Sequence, residues 1–449
     1  EFVPDSFSPD LDRVRPGTVT VEQFAWLPRV ALVSGTAGIF FDNRYGASFG
    51  VARPLQGGTF LLDAQADLTG FIAFPSTGAE YSSVRHFSGF GGLAWRPPVI
   101  DCAVRVRGVR FIDGDRGGEF EVRRAFGDMD IAFFYQRTSG LNASGIRVLF
   151  PMAPAVRRHA VTHPPGLPLR VFPVDRIGLD YTDQAGSVGR NLRGVASRED
   201  LLRQLNLPSL TANAYRYRAA RGWDAQTPPA AEPDRVSLTG MTGFINTPWC
   251  GVITERMLEV GYNQIPRGAA YDHRGIHRND VYYAALGFLP HFEAGVRWTA
   301  IPGLHAFTQD IPTSQVTDTD RMLSGRIEIL TPKPGRPGLS VGAEDIAGTR
   351  RFHSTYIVTG MPFVYRRLAA RVSVDYAPRV FSTVDHRTLD GGFGAAEASV
   401  WRPLAVAVEY DTEKWNAGLA ISGPLGFKAR ATLLKGGFVS LGGGWSVRL

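Results

Sequence analysis

Residues 368–376 read Leu-Ala-Ala-Arg-Val-Ser-Val-Asp-Tyr, and apolar and polar residues alternate along the stretch. Leu368, Val372 and Val374 share one phase with Ala370 and Tyr376, while Arg371, Ser373 and Asp375 occupy the other with Ala369. A period of two places successive side chains on opposite faces of a β-strand. The stretch therefore predicts a strand with one apolar face and one charged face.

The same alternation recurs in both halves of the chain, at Asp128–Gln136, Phe292–Thr299, Phe427–Leu433 and Phe438–Leu449. Segments of about 9 to 11 residues suit tilted strands that cross a bilayer, whereas sandwich strands usually have about 5 to 6 residues. The sequence also contains 51 Gly, 28 Phe, 14 Tyr and 8 Trp, which suits tightly turned strands with aromatic belts. These features favour a membrane barrel over a soluble sandwich. The alternation alone does not show whether the polar face of each strand lines a lumen or faces bulk water.

Composition narrows the class further. No uncharged apolar run reaches the ~18 residues that a membrane-spanning helix needs, so a membrane form must cross with strands. The best helical candidate is the short segment Ser197–Leu205, in which Ser197 could cap the first turn. The opening residues Glu1–Asp5 lack the basic and apolar regions of a signal peptide, so the numbering starts at a mature terminus or the protein is not exported.

The predicted fold is an all-β, transmembrane antiparallel outer-membrane β-barrel of roughly sixteen to twenty strands with little helix. A Pro-rich stretch at 207–235 separates a first half, 1–206, from a second half, 236–449. We expect the halves to build one barrel, in which residues 21–31 pair with 437–449; two small barrels are the alternative. Long loops are expected at Pro154–Pro168 and His305–Asp320, and the Pro-rich stretch should lie outside the hydrocarbon band or enter the lumen.

The polar strand faces supply the candidate lumen residues. A lipid-facing Arg costs about 2 to 4 kcal/mol at mid-bilayer, so these side chains should point inward. The net charge of +7 predicts a positive excess there, which would attract an acidic polysaccharide. The expected pore-lining residues are Arg107, Arg123, Arg137, Arg147, Arg297, Arg326, Arg371, Lys428, Arg430, Asp128, Glu293 and Glu328.

Enzyme signatures are absent from the sequence, so we expect no catalytic, cofactor or metal site. The nine His residues show no HExxH spacing, and no Gly-x-Ser-x-Gly elbow or Walker A loop occurs. Arg residues are scattered through the chain, which argues against a nucleic-acid partner. Two cysteines, Cys102 and Cys250, could pair in an oxidising compartment, but two separate thiols are the simpler interpretation.

Several motifs in the second half resemble those of a known family. The stretch Gly240–Pro248 reads Gly-Met-Thr-Gly-Phe-Ile-Asn-Thr-Pro and is similar to the opening signature of YjbH-like (GfcD-like) exopolysaccharide outer-membrane proteins. Leu258–Tyr262, Phe292–Thr299 and Ser340–Thr349 resemble later segments in order. The residues that carry this motif resemblance are Gly240, Gly243, Thr247, Pro248, Asp345, Gly348 and Thr349.

In the first half, Asn142–Pro151 and Asp180–Gly186 resemble late segments of the family, so the halves stand in swapped order. The resemblance implies a Gram-negative outer-membrane location, contact with membrane lipid and a role in exopolysaccharide or capsule secretion, without catalytic residues. It also implies a polysaccharide chain and a periplasmic polysaccharide-export protein as partners.

Three functions follow from these observations. The first is a passive or gated channel through which a polysaccharide crosses the outer membrane. The second is a plugged barrel that acts as an assembly or anchoring partner of a secretion machine. The third is an outer-membrane hydrolase, although the sequence contains no hydrolase motif. The first two functions differ in whether the lumen is open or filled.

Overall fold

The computed structural model describes residues 19–182 and 235–449, with gaps at 28–30, 41–43, 75–77, 98–101, 112–113, 127–128, 139–141, 152–175, 271–276, 303–316, 349–352, 366–367, 380–388 and 402. The chain divides into two compact units, Glu1–Thr227 and Pro228–Leu449. Each unit is described by itself. Within the described residues, no helix has the length and hydropathy needed to cross a membrane.

The first unit is an eleven-stranded antiparallel sheet in which neighbours in sequence are mostly neighbours in space. The small strand β5 pairs only with β4, and β1 and β11 stand at the ends of the described order. Its strands are β1 Val19–Leu27, β2 Ala31–Phe40, β3 Arg44–Leu55, β4 Phe60–Ala73, β5 Glu80–Tyr81, β6 His86–Trp95, β7 Ala103–Arg110, β8 Arg116–Phe126, β9 Met129–Arg137, β10 Asn142–Pro151 and β11 Arg176–Thr182.

The second unit is a closed barrel of twelve antiparallel strands, β12 to β23. Short 3-10 turns occur at Gln56–Gly58 in the first unit and Pro424–Gly426 in the second. The barrel strands are β12 Met257–Ile265, β13 Asn279–Leu289, β14 Phe292–Pro302, β15 Thr317–Leu330, β16 Gly338–Gly348, β17 Ser354–Tyr365, β18 Leu368–Ala377, β19 Gly391–Trp401, β20 Leu404–Tyr410, β21 Trp415–Ser422, β22 Phe427–Leu434 and β23 Phe438–Arg448.

The closing pair of the barrel corrects the predicted strand pairing. β23 pairs with β12, with Leu258 opposite Val447 and Gln264 opposite Leu441, so residues 437–449 do not pair with 21–31. The expected single barrel of both halves is therefore wrong. Glycines explain why these two strands can meet: a Cβ at Gly442 would lie 1.9 Å from Asn263 Oδ1, and one at Gly444 would lie 2.7 Å from the Tyr283 hydroxyl.

The distribution of apolar and charged side chains confirms the barrel interpretation over the sandwich. On β18, Val374 is 70% exposed, while Arg371 and Asp375 on the opposite face are buried. On the described barrel strands, most buried charged side chains lie on the inward face, and most exposed large apolar side chains lie on the outward face. Exposed apolar faces this extensive need a nonpolar surround, and lipid supplies it.

Replacing Val374 with Arg should destabilise the barrel by about 2 to 4 kcal/mol, because Val374 lies within β18 on the exposed apolar face that we expect to contact lipid. Val364 is a matched control, since it is 63% exposed but lies next to the end of β17. Val364→Arg should cost about 1 kcal/mol or less. Urea unfolding from lipid vesicles measures both values, and equal costs would contradict the assigned membrane-facing band.

Several predicted segments lie outside the described residues: the loop Pro154–Pro168, the helix Ser197–Leu205, the stretch 207–234 and most of His305–Asp320. The last four residues of that final segment, 317–320, belong to β15 instead of a loop. This difference arises because Thr317, Asp318 and Thr319 carry no apolar alternation, yet each pairs with a residue of β14.

Candidate functional site: the lumen of the second unit

The chain enters the barrel before it forms the barrel wall. Residues 235–253, here called the plug, precede β12 and are almost wholly buried. Phe244, Trp249 and Cys250 pack with residues of β17 and β19, whereas Leu238 and Ile245 pack with residues of β12, β13, β20 and β22. Contact with strands so far apart in the barrel places the plug inside the lumen.

Tight backbone turns give the plug its shape. The amide of Gly243 donates to the carbonyl of Arg235 at 2.8 Å, and the amide of Trp249 donates to the carbonyl of Thr242 at 3.0 Å. Gly240 has a φ of +92°, a conformation that favours glycine. A Cβ at Gly243 would lie 2.3 Å from the carbonyl oxygen of Thr247. The Gly-x-x-Gly spacing of the family-like motif thus serves the folding of the plug.

Gly243→Ala should cost about 1 to 3 kcal/mol, because the added methyl group meets backbone that is packed on all sides. Gly437→Ala is the matched control, since a Cβ there has nothing within 4 Å. Thermal unfolding in detergent measures the difference between the two variants. A Gly243→Ala protein as stable as the Gly437→Ala protein would mean that the plug backbone is not held as described.

Two wall carboxylates hold the plug through its backbone. Glu409 on β20 accepts hydrogen bonds from the amides of Ile245, Asn246 and Thr247 at 3.0, 2.8 and 3.0 Å. Glu293 on β14 accepts from the amide of Thr242 at 2.6 Å. Amide donors that would otherwise be unsatisfied in a buried segment are therefore paired with charged acceptors, which form stronger hydrogen bonds than neutral ones.

Basic side chains of the wall donate hydrogen bonds to backbone carbonyl groups of the plug. Arg326 forms an ion pair of 2.6 Å with Glu293 and donates to the carbonyl of Gly251 at 3.0 Å. Arg371 pairs with Glu397 at 2.9 Å and donates to the carbonyl of Gly243 at 2.8 Å. These arginines, predicted to line a pore, point inward but are engaged by the plug.

Arg371 also lies against aromatic rings of the plug. Its guanidinium is 4.6 Å from the ring centre of Phe244 and 5.3 Å from that of Trp249. Contacts of this kind between a buried cation and a ring add to the attraction. The same side chain therefore joins the wall to both the backbone and the side chains of the plug.

Lys428 and Arg430 on β22 face Glu259 on β12. The Lys428 amine lies 2.5 Å from the Glu259 carboxylate, and Arg430 lies 4.0 Å from it. Arg430 also donates to the hydroxyl of Tyr283 at 2.9 Å. Both cations lie on the inward face of β22, and their role in lining a pore stays a prediction.

The remaining predicted residues of the second unit are also placed. Arg297 lies 3.8 Å from Asp320, and Glu328 accepts from Thr331 and lies 2.8 Å from His291. Asp345 is buried in β16 with its amide directed to Ser324. Gly348 has a φ of +128° where a Cβ would meet the carbonyl of Arg321, and Pro248 bridges to Gly243. Thr349 lies outside the described residues.

The acidic and basic side chains of the described barrel interior do not show the predicted positive excess. Among the described residues of the barrel interior, nine acidic side chains are buried and six basic ones face them. The acids are Glu259, Glu293, Asp320, Glu328, Glu344, Asp345, Asp375, Glu397 and Glu409, and the bases are Arg235, Arg297, Arg326, Arg371, Lys428 and Arg430. Acids exceed bases because backbone amides of the plug supply the missing partners.

In the first unit, three predicted arginines lie on the buried face of the sheet. Arg123 contacts Glu121 at 3.1 Å, and Arg147 forms an ion pair with the same carboxylate. Arg107 pairs with Asp63 at 2.5 Å. Arg105 completes the Glu121 cluster at 2.9 Å.

Arg137 does not point inward, and this prediction is wrong. Gln136 occupies the buried phase of β9 and bonds Glu119, so the next residue must face outward. Arg137 is the last residue of β9, and a charge costs little at the end of a membrane strand. Asp128 lies outside the described residues.

The charged lumen residues that were not predicted from the sequence include Arg235, Glu259, Glu397 and Glu409. The signal for Glu397 and Glu409 was present, because each continues the inward phase of small residues such as Ala395 and Ala407. Arg235 carries no such signal, since the plug has no period of two.

Comparison with known proteins confirms the family resemblance. Residues 236–375 match the YjbH family, described as "Exopolysaccharide biosynthesis protein YbjH". The matched region contains the plug and the first half of the barrel wall. The swapped order of the halves stays a prediction. A search of curated proteins found no match.

Three of the solved structures that match this chain have low similarity to it. The P pilus usher (PapC) translocation pore shares 10% identity over 94% of this chain and 68% of that chain, with a TM-score of 0.22. Pseudomonas aeruginosa OccK11 (OpdR) shares 7% identity over 96% and 93%, with a TM-score of 0.18. Pseudomonas aeruginosa OpdL shares 8% over 96% and 96%, with a TM-score of 0.18. These TM-scores are too low to support an argument about this chain.

Proposed function

We propose that this protein is an outer-membrane component of an exopolysaccharide export machine, and that its second unit works as a plugged barrel. In this role the barrel anchors or assembles the machine and does not itself conduct the polysaccharide. The observation that carries the proposal is the plug, which the wall holds from several sides through Glu293, Glu409, Arg326 and Arg371.

A cavity beside the plug is small. A cavity between the plug and strands β20 to β22 measures about 30 Å³, which is room for about two water molecules. A sugar ring does not fit such a space. The channel hypothesis therefore requires the plug to leave the lumen during export.

Partners follow from the surface and the ends of the barrel. Membrane lipid contacts the exposed apolar faces of the strands. The short turns after β13, β17, β19 and β21 share one end of the barrel with the final residues, and short turns are periplasmic in barrels of this type. We assign that end to the periplasm, where a polysaccharide-export protein would dock.

A covalent lock on the plug separates the two roles. A Cβ at Gly338 on β16 would lie 2.9 Å from the sulfur of Cys250 in the plug, close to the geometry of a disulfide. Gly338→Cys in a Cys102→Ser background should therefore tie the plug to the wall on oxidation. Burial raises the pKa of the Cys250 thiol to about 12, so a strong oxidant such as copper-phenanthroline is required.

Export of polysaccharide by cells that carry the locked barrel should equal export by cells with the Gly338→Ala control. Export that stops on oxidation and returns with reductant would show instead that the plug must move, and the channel role would replace the plugged role. Gel mobility without reductant verifies that the disulfide has formed.

A further inference from the structure

The turn between β15 and β16 carries two cations directly opposite each other. The amide of Lys333 donates to the carbonyl of Arg336 at 3.1 Å, and the amide of Arg336 donates to the carbonyl of Lys333 at 2.8 Å. Pro334 and Gly335 form the corner between them, and the φ of +77° at Gly335 after a proline is that of a type II turn. The two basic side chains therefore start from neighbouring points of one tight hairpin.

No acidic side chain of the described residues pairs with these two cations. Lys333 and Arg336 are both exposed, and neither forms an ion pair within the part of the chain that the structure describes. The segment Thr331–Pro337 contains no acid, and the preceding acid, Glu328, is engaged by His291. Like charges directly opposite each other on paired strands repel, so an external anion would stabilise this turn.

A neighbouring proline shows which way the cations face. A Cβ at Gly338 would lie 2.8 Å from Pro332 Cβ and 2.9 Å from the sulfur of Cys250 in the plug. Pro332 therefore lies on the lumen side of the hairpin. Successive side chains alternate between the two faces, and residues paired directly across a hairpin share a face. Lys333 and Arg336 thus face away from the lumen.

The outward face that leads to this turn is apolar. Ile327, Ile329 and Leu330, at the end of β15, are 51%, 54% and 55% exposed. We expect this surface to contact the acyl chains of lipids. Cations just beyond the end of a lipid-facing strand meet the headgroup layer, where long basic side chains extend toward phosphate groups.

We propose that Lys333 and Arg336 bind the headgroup phosphate of an anionic phospholipid, such as phosphatidylglycerol, at the rim of the second-unit barrel. The turn after β15 lies at the end assigned above to the periplasm, so this inference rests on the membrane location in the proposed function. It does not depend on the plug. A phospholipid fits better than a soluble anion, because the apolar face beside the turn contacts acyl chains that a soluble anion lacks.

Native mass spectrometry of the full chain in detergent tests the site, with phosphatidylglycerol as the probe and phosphatidylcholine with the same acyl chains as the neutral comparison. Removing one charge, in Lys333→Gln or Arg336→Gln, should weaken phosphatidylglycerol binding about fivefold. The double variant should weaken it about 25-fold and leave phosphatidylcholine binding almost unchanged. Without phosphatidylglycerol, the double variant should unfold thermally at the wild-type temperature or above it, because a repulsive pair is removed.

Lys414→Gln is the matched control, because Lys414 is also an exposed cation in a tight turn, here the one after β20 at the opposite end of the barrel. This variant should bind phosphatidylglycerol like the wild type. Equal affinity of the wild type for the two lipids, full binding by the double variant, or an equal loss in Lys414→Gln would overturn the site.

Competition with soluble anions tests the choice of a lipid. Displacement of phosphatidylglycerol by an equal concentration of inorganic phosphate would overturn that choice in favour of a free anion. Displacement by hexaglutamate would overturn it in favour of an acidic protein segment. The substitutions leave the plug untouched, so a failed lipid site and a failed plugged role, which the locked-plug experiment tests, are distinguishable.

Discussion

Replacing residues 236–252 with a Gly-Ser segment of equal length should turn a silent barrel into a conducting pore. The plug fills the lumen of a closed twelve-stranded barrel, and its removal leaves a passage lined by polar strand faces. The wall carboxylates that the plug amides now satisfy, Glu293 and Glu409 among them, would then face water. Since acids exceed bases in the lumen, the pore should select cations.

Planar-bilayer recording measures both the conductance and the reversal potential of this variant. The control carries the same Gly-Ser segment inserted in the short turn at 435–437, where the plug is untouched, and it should stay silent. Heat-modifiable migration, which compares unheated and heated samples on a gel, verifies that each barrel is folded. A folded plug-free barrel that is silent, or one that selects anions, would contradict the described lumen.

Arg326→Met should destabilise the barrel by about 3 to 5 kcal/mol, the usual cost of breaking a fully buried ion pair. Both Arg326 and Glu293 have side chains that are 0% exposed. Removing the guanidinium leaves the Glu293 carboxylate with amide donors but no counter-charge, and the plug loses the bond to Gly251. Urea unfolding from lipid vesicles measures the change.

Arg379→Met provides the comparison for this prediction. Arg379 also pairs with a carboxylate, at 3.0 Å, but its side chain is 78% exposed. Exposed pairs contribute about 0 to 1 kcal/mol, so this variant should unfold almost like the wild type. Equal losses in the two variants would show that Arg326 is not buried in the lumen of the folded protein.

The strands and their two faces were predictable because successive side chains alternate between the two faces of a strand. Val374 and Arg371 therefore fall on opposite faces, and the apolar face is the one that points outward to lipid. Arg137 was placed on the wrong face because its charge was weighed above its phase. Gln136, one residue earlier, already held the inward position.

The closure of the barrel and the plug were not predictable on the same grounds. The alternation of side chains along a strand does not show which strand pairs with β23. That pairing depends on the space that Gly442 and Gly444 leave for Asn263 and Tyr283. The plug has no period of two. The prediction of a positive excess in the lumen failed for a related reason. The total charge of a chain gives no information about backbone amides, which here donate hydrogen bonds to Glu409 in place of basic side chains.

The most direct test of the central claim is single-channel recording of the wild-type protein in planar bilayers. A lumen filled by residues 235–253 should give no steady conductance. Changing Arg297, Arg326 and Arg371 to Gln in turn should leave the barrel without steady conductance. An open, anion-selective pore in the wild type, with selectivity that falls in those variants, would contradict the plugged barrel and support the export channel.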